Sequence, residues 1–206
     1  MIADLHIHSH YSHDSLNPPR IILKCAKRKG LDTIAVTDHN TIKGGVEAAK
    51  YAKDIGVDVI IGEEVLTNAG DIIGLYLTEE IQSRDYNAVI QEIHSQGGLV
   101  VFPHPYRGHK IIDDIAPLVD FIEIWNGRAN DIQNMQAYRL AEKFHKKQVI
   151  GSDAHLLPEV GKVAVRYTSE LSIEERIRTQ SISRYGVYFS QIMKKYKIPL
   201  ISRKLF

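Results

Sequence analysis

Short apolar runs alternate along most of this chain with stretches whose apolar positions recur at helical spacing. Such alternation predicts an α/β fold with a largely parallel sheet, because a parallel strand reaches its neighbour through a helical crossover. Strands are expected near 2–8, 32–37, 57–66, 71–77, 99–103, 120–125, 148–152 and 162–167. Helices are expected near 19–29, 43–55, 85–96, 130–147 and 172–183. Asn17-Pro18-Pro19 suits the opening of the first helix, where the donor that proline lacks is not needed. Ser172-Ile173-Glu174-Glu175 has capping-box spacing and marks the start of the last. Between 57–66 and 71–77 only Thr67-Asn68-Ala69-Gly70 intervenes, too short for a helix, so these two strands should form an antiparallel hairpin.

Polar residues gather just beyond the apolar strands: Asp38 and His39 after Thr33-Ile34-Ala35-Val36, His104 after Leu99-Val100-Val101-Phe102, Asp153 after Val149-Ile150-Gly151. In parallel sheets and barrels the carboxyl ends of the strands form one rim, so these side chains can converge. Asp4-Leu5-His6-Ile7-His8 adds two imidazoles two residues apart, which a strand presents on the same side. Asp14, Glu64 and His155 extend the set to eight candidate ligands with His6, His8, His39, His104 and Asp153. Mixed nitrogen and oxygen donors suit zinc, manganese or iron, and one four-coordinate ion would leave about half of them unused. Two or three divalent ions are implied. Such a cluster hydrolyses esters without a serine or cysteine nucleophile, and the chain has no G-x-S-x-G elbow, P-loop or dinucleotide-binding glycine pattern.

Composition narrows the reading further. The chain has 206 residues, 44% of them hydrophobic, which suits one domain with a substantial core. A formal charge of +1 supplies no global field for nucleic acid or an anionic membrane, so an anionic substrate must be attracted locally. Cys25, the single cysteine, falls on the apolar face of a helix and reads as a buried structural thiol. No apolar stretch approaches the roughly 18 residues that span a bilayer, and the N-terminus enters a motif at once. A cytoplasmic protein without a membrane partner is expected.

Together these segments resemble the PHP (polymerase and histidinol phosphatase) metallo-phosphoesterases over about residues 3–165. Asp4-Leu5-His6-Ile7-His8-Ser9, through Ser12 to Asp14, resembles the family's first motif, and Thr37-Asp38-His39-Asn40 its second. Glu64 falls where the family places a bridging glutamate, His104-Pro105 resembles the third motif, and Gly151-Ser152-Asp153-Ala154-His155 the last. The resemblance implies a distorted seven-stranded (β/α)7 barrel over 1–170, with 171–206 a C-terminal helical extension packed on it rather than a second domain. It implies hydrolysis of a phosphoester by a hydroxide bridging a two- or three-metal centre. By position, His6, His8, Glu64 and Asp153 would surround one metal, Asp14, His39 and His155 a second, and Glu64 with His104 would help hold a third. Asp153 and His155 carry the catalytic roles. Many relatives have a histidine where this chain has Asp71, which either ligates through oxygen or leaves the third site weak or empty.

Arg107 and Arg128, both at expected strand ends, are the candidate phosphate contacts, since a guanidinium binds phosphate as a planar fork. The expected partner is a small phosphorylated substrate, a nucleotide or a short nucleic-acid end. Asp38 is read as a hydrogen-bond support, Glu63 as facing the opposite side of the sheet from Glu64, and His94 and His145 as surface or interhelix residues. His109, near Arg107, is read with them as a structural histidine, with substrate contact as the alternative, and the basic tail 188–206 as a solvated terminal helix. Two alternatives stay open: a C–N bond hydrolase of the amidohydrolase kind, which also begins with H-x-H, and a non-catalytic metal-binding module.

Overall fold

The structure is a computed structural model and describes residues 1–167 and 185–187. In chain order the strands are β1 (Ile2–Ile7), β2 (Thr33–His39), β3 (Asp58–Thr67), β4 (Gly70–Leu75), β5 (Leu99–Phe102), β6 (Phe121–Asn126), β7 (Lys147–Gly151), β8 (Val165–Tyr167) and β9 (Tyr185–Val187). The helices are α1 (Pro19–Arg28), α2 (Lys43–Ile55), α3 (Tyr86–Ser95), the single turn α4 (Ile112–Ile115) and α5 (Asp131–Lys143).

One sheet contains all nine strands in the order β7-β6-β5-β4-β3-β2-β1-β8-β9. β1, β2 and β3 run parallel through α1 and α2, and β5, β6 and β7 run parallel through α4 and α5. Between them β4 pairs antiparallel with both β3 and β5. β1 then approaches the end of β7: Asp153 N donates to His6 O at 2.8 Å, His8 N donates to Ala154 O at 2.9 Å, and Ile7 bridges Ala154 in parallel. Seven strands thus form a nearly closed barrel. β8 lies antiparallel to the start of β1, and β9 pairs with β8.

Local chemistry sets the element ends. Pro19 opens α1, Asp85 caps α3 by accepting from Ala88 N, and Asn130 with Gln133 forms a reciprocal capping box on α5. Ile22, Leu23 and Ala26 of α1 cluster with Ile34 and Val36 of β2 and Ala48 of α2. Phe102, Phe121, Ile122 and Ile93 belong to the larger cluster around β4, β5 and β6. Truncating a fully buried member such as Ile22 to alanine would cost about 2–5 kcal/mol. Every residue of β1 from Ala3 onward is buried, as expected of a strand covered on both faces.

The expected elements up to 167 are present, with shifted ends. α5 stops at Lys143 rather than 147, because the chain turns through His145 at φ +50 and Lys146 Nζ donates to Pro117 O and Val119 O. β8 begins at Val165 rather than near 162, since Lys162 N closes a turn onto Glu159 O. Within the expected helical extension, 185–187 form β9; the expected helix at 172–183 and the tail at 188–206 lie outside the described residues. No helix among the described residues is long and apolar enough to cross a membrane.

Candidate metal centre

The barrel rim gathers the eight candidate ligands. His6 and His8 leave β1 with their Nε2 atoms 3.1 Å apart. Glu64, on β3, directs Oε2 at three imidazoles: His6 Nε2 at 3.4 Å, His8 Nε2 at 3.2 Å and His39 Nδ1 at 3.3 Å. Its Oε1 meets His104 Nε2 at 2.9 Å. Asp153 Oδ1 faces His6 Nε2 at 3.6 Å, His8 Nε2 at 3.3 Å and His155 Nδ1 at 3.4 Å. On the outer side Asp14 Oδ2 lies 3.0 Å from His155 Nε2 and 3.6 Å from His39 Nε2.

These separations have a simple geometric meaning. Donors about 2.1 Å from one tetrahedral cation stand about 3.4 Å from each other. Most of the contacts above cluster near that edge length, so the residues fit divalent ions with little movement. His6, His8 and Glu64 make one compact group, and His8, His39 and His155 make another. His6, His104 and Asp153 form a third group, and Asp71, His104 and His109 a fourth.

Backbone conformation helps to aim the ligands. His104 and Asp153 have φ +29 and +53, and Asn40, following His39, has φ +55. Left-handed conformations of this kind cost about 1–2 kcal/mol per residue and persist where surrounding contacts fix them. Gly151 leaves room for the site: a Cβ there would strike His6 and come within 2.7 Å of Glu123 Oε1.

A layer of hydrogen bonds orients the imidazoles from behind. His6 Nδ1 lies 3.1 Å from Glu123 Oε1, and Glu123 Oε2 accepts from His104 N at 2.9 Å and Asn126 Nδ2 at 3.0 Å. His8 Nδ1 donates to Ser12 Oγ at 3.1 Å, and Ser12 passes its own proton to Asp38 Oδ1 at 2.8 Å. Asp38 also accepts from Ser9 N and Ser9 Oγ, both at 2.6 Å. Asp4 accepts from Ser152 N at 2.9 Å, Ser152 Oγ at 2.5 Å and Gly161 N at 2.8 Å, tying β1 to the segment that carries Asp153. With Nδ1 engaged, His6 and His8 each keep Nε2 for a cation.

Charge is heavily redistributed. Burial alone would push the His6 and His8 values down, yet the carboxylates oppose it. Asp153, Glu123 and Glu64 hold His6 well above the usual imidazole range, and Asp153 with Glu64 raises His8 to about 9. The same imidazoles outweigh burial in the other direction and hold Glu64 and Asp153 far below the usual carboxylate range. His39 is pushed down, first by burial. The carboxylates thus draw positive charge into the site, which protons or cations on the imidazoles would supply.

Arg107 reaches this cluster, donating from NH1 to Asp153 Oδ2 at 2.7 Å, while Asn126 Nδ2 donates to the same oxygen at 3.2 Å. Arg128 turns instead toward Glu159, with NH1 3.9 Å from Oε2. Glu159 in turn accepts from His155 N at 3.0 Å, so Arg128 stands beside the His155 loop. Glu63 faces away and accepts from Ile81 N at 3.0 Å, His94 pairs with Asp120 at 3.0 Å, and Cys25 is buried. Asp4 and Ser152 carry more of the site than their sequence positions alone suggested, while Glu123 and Asn126, which the sequence reads as ties between the rim loops, hydrogen-bond to each other there.

Comparison with known proteins agrees with this architecture. The PHP domain family model matches residues 4–167, and the chain belongs to that family. A Methanocaldococcus jannaschii protein of unassigned function is 41% identical over 167 residues, which is 71% of this chain and 95% of that one. A 5'-3' exoribonuclease of Haemophilus influenzae is 40% identical over 126 residues, covering 54% of this chain and 45% of the relative. Among solved structures, a two-domain Bacteroides vulgatus protein containing a predicted PHP-like metal-dependent phosphoesterase superposes with TM-score 0.73 at 21% identity. That match covers 91% of this chain and 64% of the other, so this chain spans under two thirds of that protein.

Proposed function

We propose that the protein is a metal-dependent phosphoesterase acting on a small phosphomonoester or on a nucleotide or oligonucleotide phosphate. The carrying observation is the spacing of Glu64 Oε2 and Asp153 Oδ1 from the surrounding imidazoles, 3.2–3.4 Å for the first and 3.3–3.6 Å for the second. His6, His8, Glu64 and Asp153 would hold one divalent ion, Asp14, His39 and His155 a second, and Glu64 with His104 would contribute to a third. Zinc, manganese and iron all suit these donors. Such ions supply Lewis-acid charge to a phosphoryl oxygen and acidify an attacking water.

The chain's own residues orient and neutralise. Arg107, 41% exposed, is free to swing its outer nitrogens toward a phosphate while its stem stays beside Asp153. Asn126 holds the far oxygen of Asp153 in place as Arg107 moves. His155 Nδ1 donates to the Asp153 carbonyl at 3.0 Å, which leaves Nε2, 3.0 Å from Asp14 Oδ2, with its lone pair for the second ion. Arg128 contributes through the His155 loop. The name of the H. influenzae relative supports a nucleic-acid 5' end as one substrate. A cytoplasmic location accords with this substrate class.

The test uses metal-stripped protein reconstituted separately with zinc, manganese and iron, offered p-nitrophenyl phosphate, bis-p-nitrophenyl phosphate, a 5'-phosphorylated oligonucleotide and an N-acyl substrate. Turnover of a phosphoester, abolished by chelation and reduced more than about 100-fold in Asp153→Asn, is expected. Hydrolysis of the N-acyl compound alone, or metal binding with no phosphoester turnover, would reject the proposal.

A further inference from the structure

Helix α1 carries four cations and no acidic residue, although the formal charge of the whole chain is only +1. By contrast α2 mixes three cations with two carboxylates and α5 two with two, as solvated surface helices commonly do. Positive charge is concentrated on α1. Arg20, Lys24, Lys27 and Arg28 stand at positions i, i+4, i+7 and i+8, which aligns them along one side of the helix over about 12 Å. All four are exposed, and none joins an ion pair among the described residues. The opposite side, with Ile22, Leu23, Cys25 and Ala26, is buried in the core.

The surface beside this stripe is partly apolar. A groove of about 500 Å³ is lined by Ile21, Lys24, Lys27 and Arg28 of α1 and by Ile55 of α2. Tyr51 of α2 lies with its ring centre 5.4 Å from the Arg20 guanidinium, and Lys27 Nζ donates to Gly56 O at 3.0 Å. Neither contact removes the positive charge. Lys29 differs, since its Nζ is tied to Pro158 O at 2.8 Å and Val160 O at 2.6 Å. Asp54, next to Ile55, is an exposed carboxylate at the far end. At the near end α1 leaves the rim five residues after the candidate ligand Asp14, and Tyr11 of the same loop donates to Glu47 Oε2 of α2 at 2.8 Å. The stripe therefore starts at the metal-centre loop and runs away from it.

We propose that α1 and the groove beside it bind the body of a single-stranded nucleic acid whose terminal phosphate lies at the metal centre. Spaced cations neutralise successive phosphates, and aromatic or apolar side chains beside them receive unstacked bases. With its apolar side already buried, α1 lacks the face that a membrane-surface helix inserts into lipid. The inference rests on the phosphoesterase reading above and narrows its substrate to a strand several nucleotides long.

The experiment measures binding apart from cleavage. A labelled oligouridylate of about 16 nucleotides is titrated by fluorescence anisotropy, in chelator and at several salt concentrations, with wild type and with a variant combining Lys24→Gln, Lys27→Gln and Arg28→Gln. Four phosphate contacts predict a slope of log affinity on log salt of about −3, falling to about −1 in the variant, with binding at low salt at least about 10-fold weaker. Turnover of p-nitrophenyl phosphate with manganese should be the same in both proteins. Equal affinity and slope in the two, or no binding of the strand by the wild type, would overturn the inference even where phosphoesters are hydrolysed. So would binding of phosphatidylserine vesicles, lost in the variant, without binding of the strand. Strand binding that the variant loses, in a protein without that turnover, would support the groove and reject the phosphoesterase reading. Should the variant misfold, ultraviolet cross-linking of the strand to wild type decides: adducts on α1 or Tyr51 support the groove, and adducts confined elsewhere refute it.

Discussion

His6 Nδ1 stands 3.1 Å from Glu123 Oε1, with both side chains buried. A carboxylate behind a ligating imidazole fixes its tautomer and strengthens it as a donor. Glu123→Gln replaces that acceptor with an amide that can donate, which would turn the His6 proton toward Nε2 and take away its lone pair. Metal affinity should fall about 10- to 100-fold while the fold is kept. Competition against a chromophoric chelator measures this, and unchanged affinity would remove Glu123 from its orienting role.

The raised values of His6 and His8 predict how metal uptake depends on pH. Neighbouring carboxylates favour the protonated form of each in the metal-free protein, and a cation needs them neutral, so uptake should release protons. Affinity should strengthen as pH rises from about 6.5 toward 9. For metal-free protein the sign reverses. His8 has a higher value folded than unfolded, so its stabilising effect is complete below 6.5 and is lost as pH rises through about 9. Calorimetric titrations in buffers of different ionisation enthalpy should reveal the released protons, and metal-free Tm should decline over that window. A pH-independent affinity would show that the imidazoles are already neutral.

Asp4 lies under the site and is fully buried. Asp4→Ala would take the acceptor from the Ser152 N–H, the Ser152 hydroxyl, the Gly161 N–H and the His6 N–H, four donors that now share one carboxylate, of which only the hydroxyl has a second acceptor in His6 O. A loss of about 2–5 kcal/mol is expected from chemical denaturation of the metal-free protein. A change below about 1 kcal/mol would mean that water replaces the carboxylate without strain.

Much of the scaffold could be read in advance because its signals are local. The hairpin at Thr67–Gly70 followed from a connection too short for a helix, and α1 from its prolines. His6, His8, Glu64 and Asp153 could be placed together because strand ends share a rim. The less legible features depend on distant pairing. α4 is a single turn with no periodicity to detect, and β9 exists only through its pairing with β8. His109 reaches the Asp71 carbonyl through a turn that fits only because Gly70, 39 positions before it in the sequence, has no side chain. Arg128 and Arg107 look alike at strand ends, yet one faces Glu159 and the other Asp153, a choice made by loop conformation.

The seam where β1 meets the end of β7 gives the centre a history as well as a geometry. Ser152 and Asp4, hydrogen-bonded there, are 148 positions apart. On the ribosome the first histidines emerge long before Asp153 and His155, at about 5–20 residues per second. A half-made chain can offer imidazoles but no finished pocket. A cation shared by His8 and His155 would therefore clasp the first strand of the barrel to a segment made long after it.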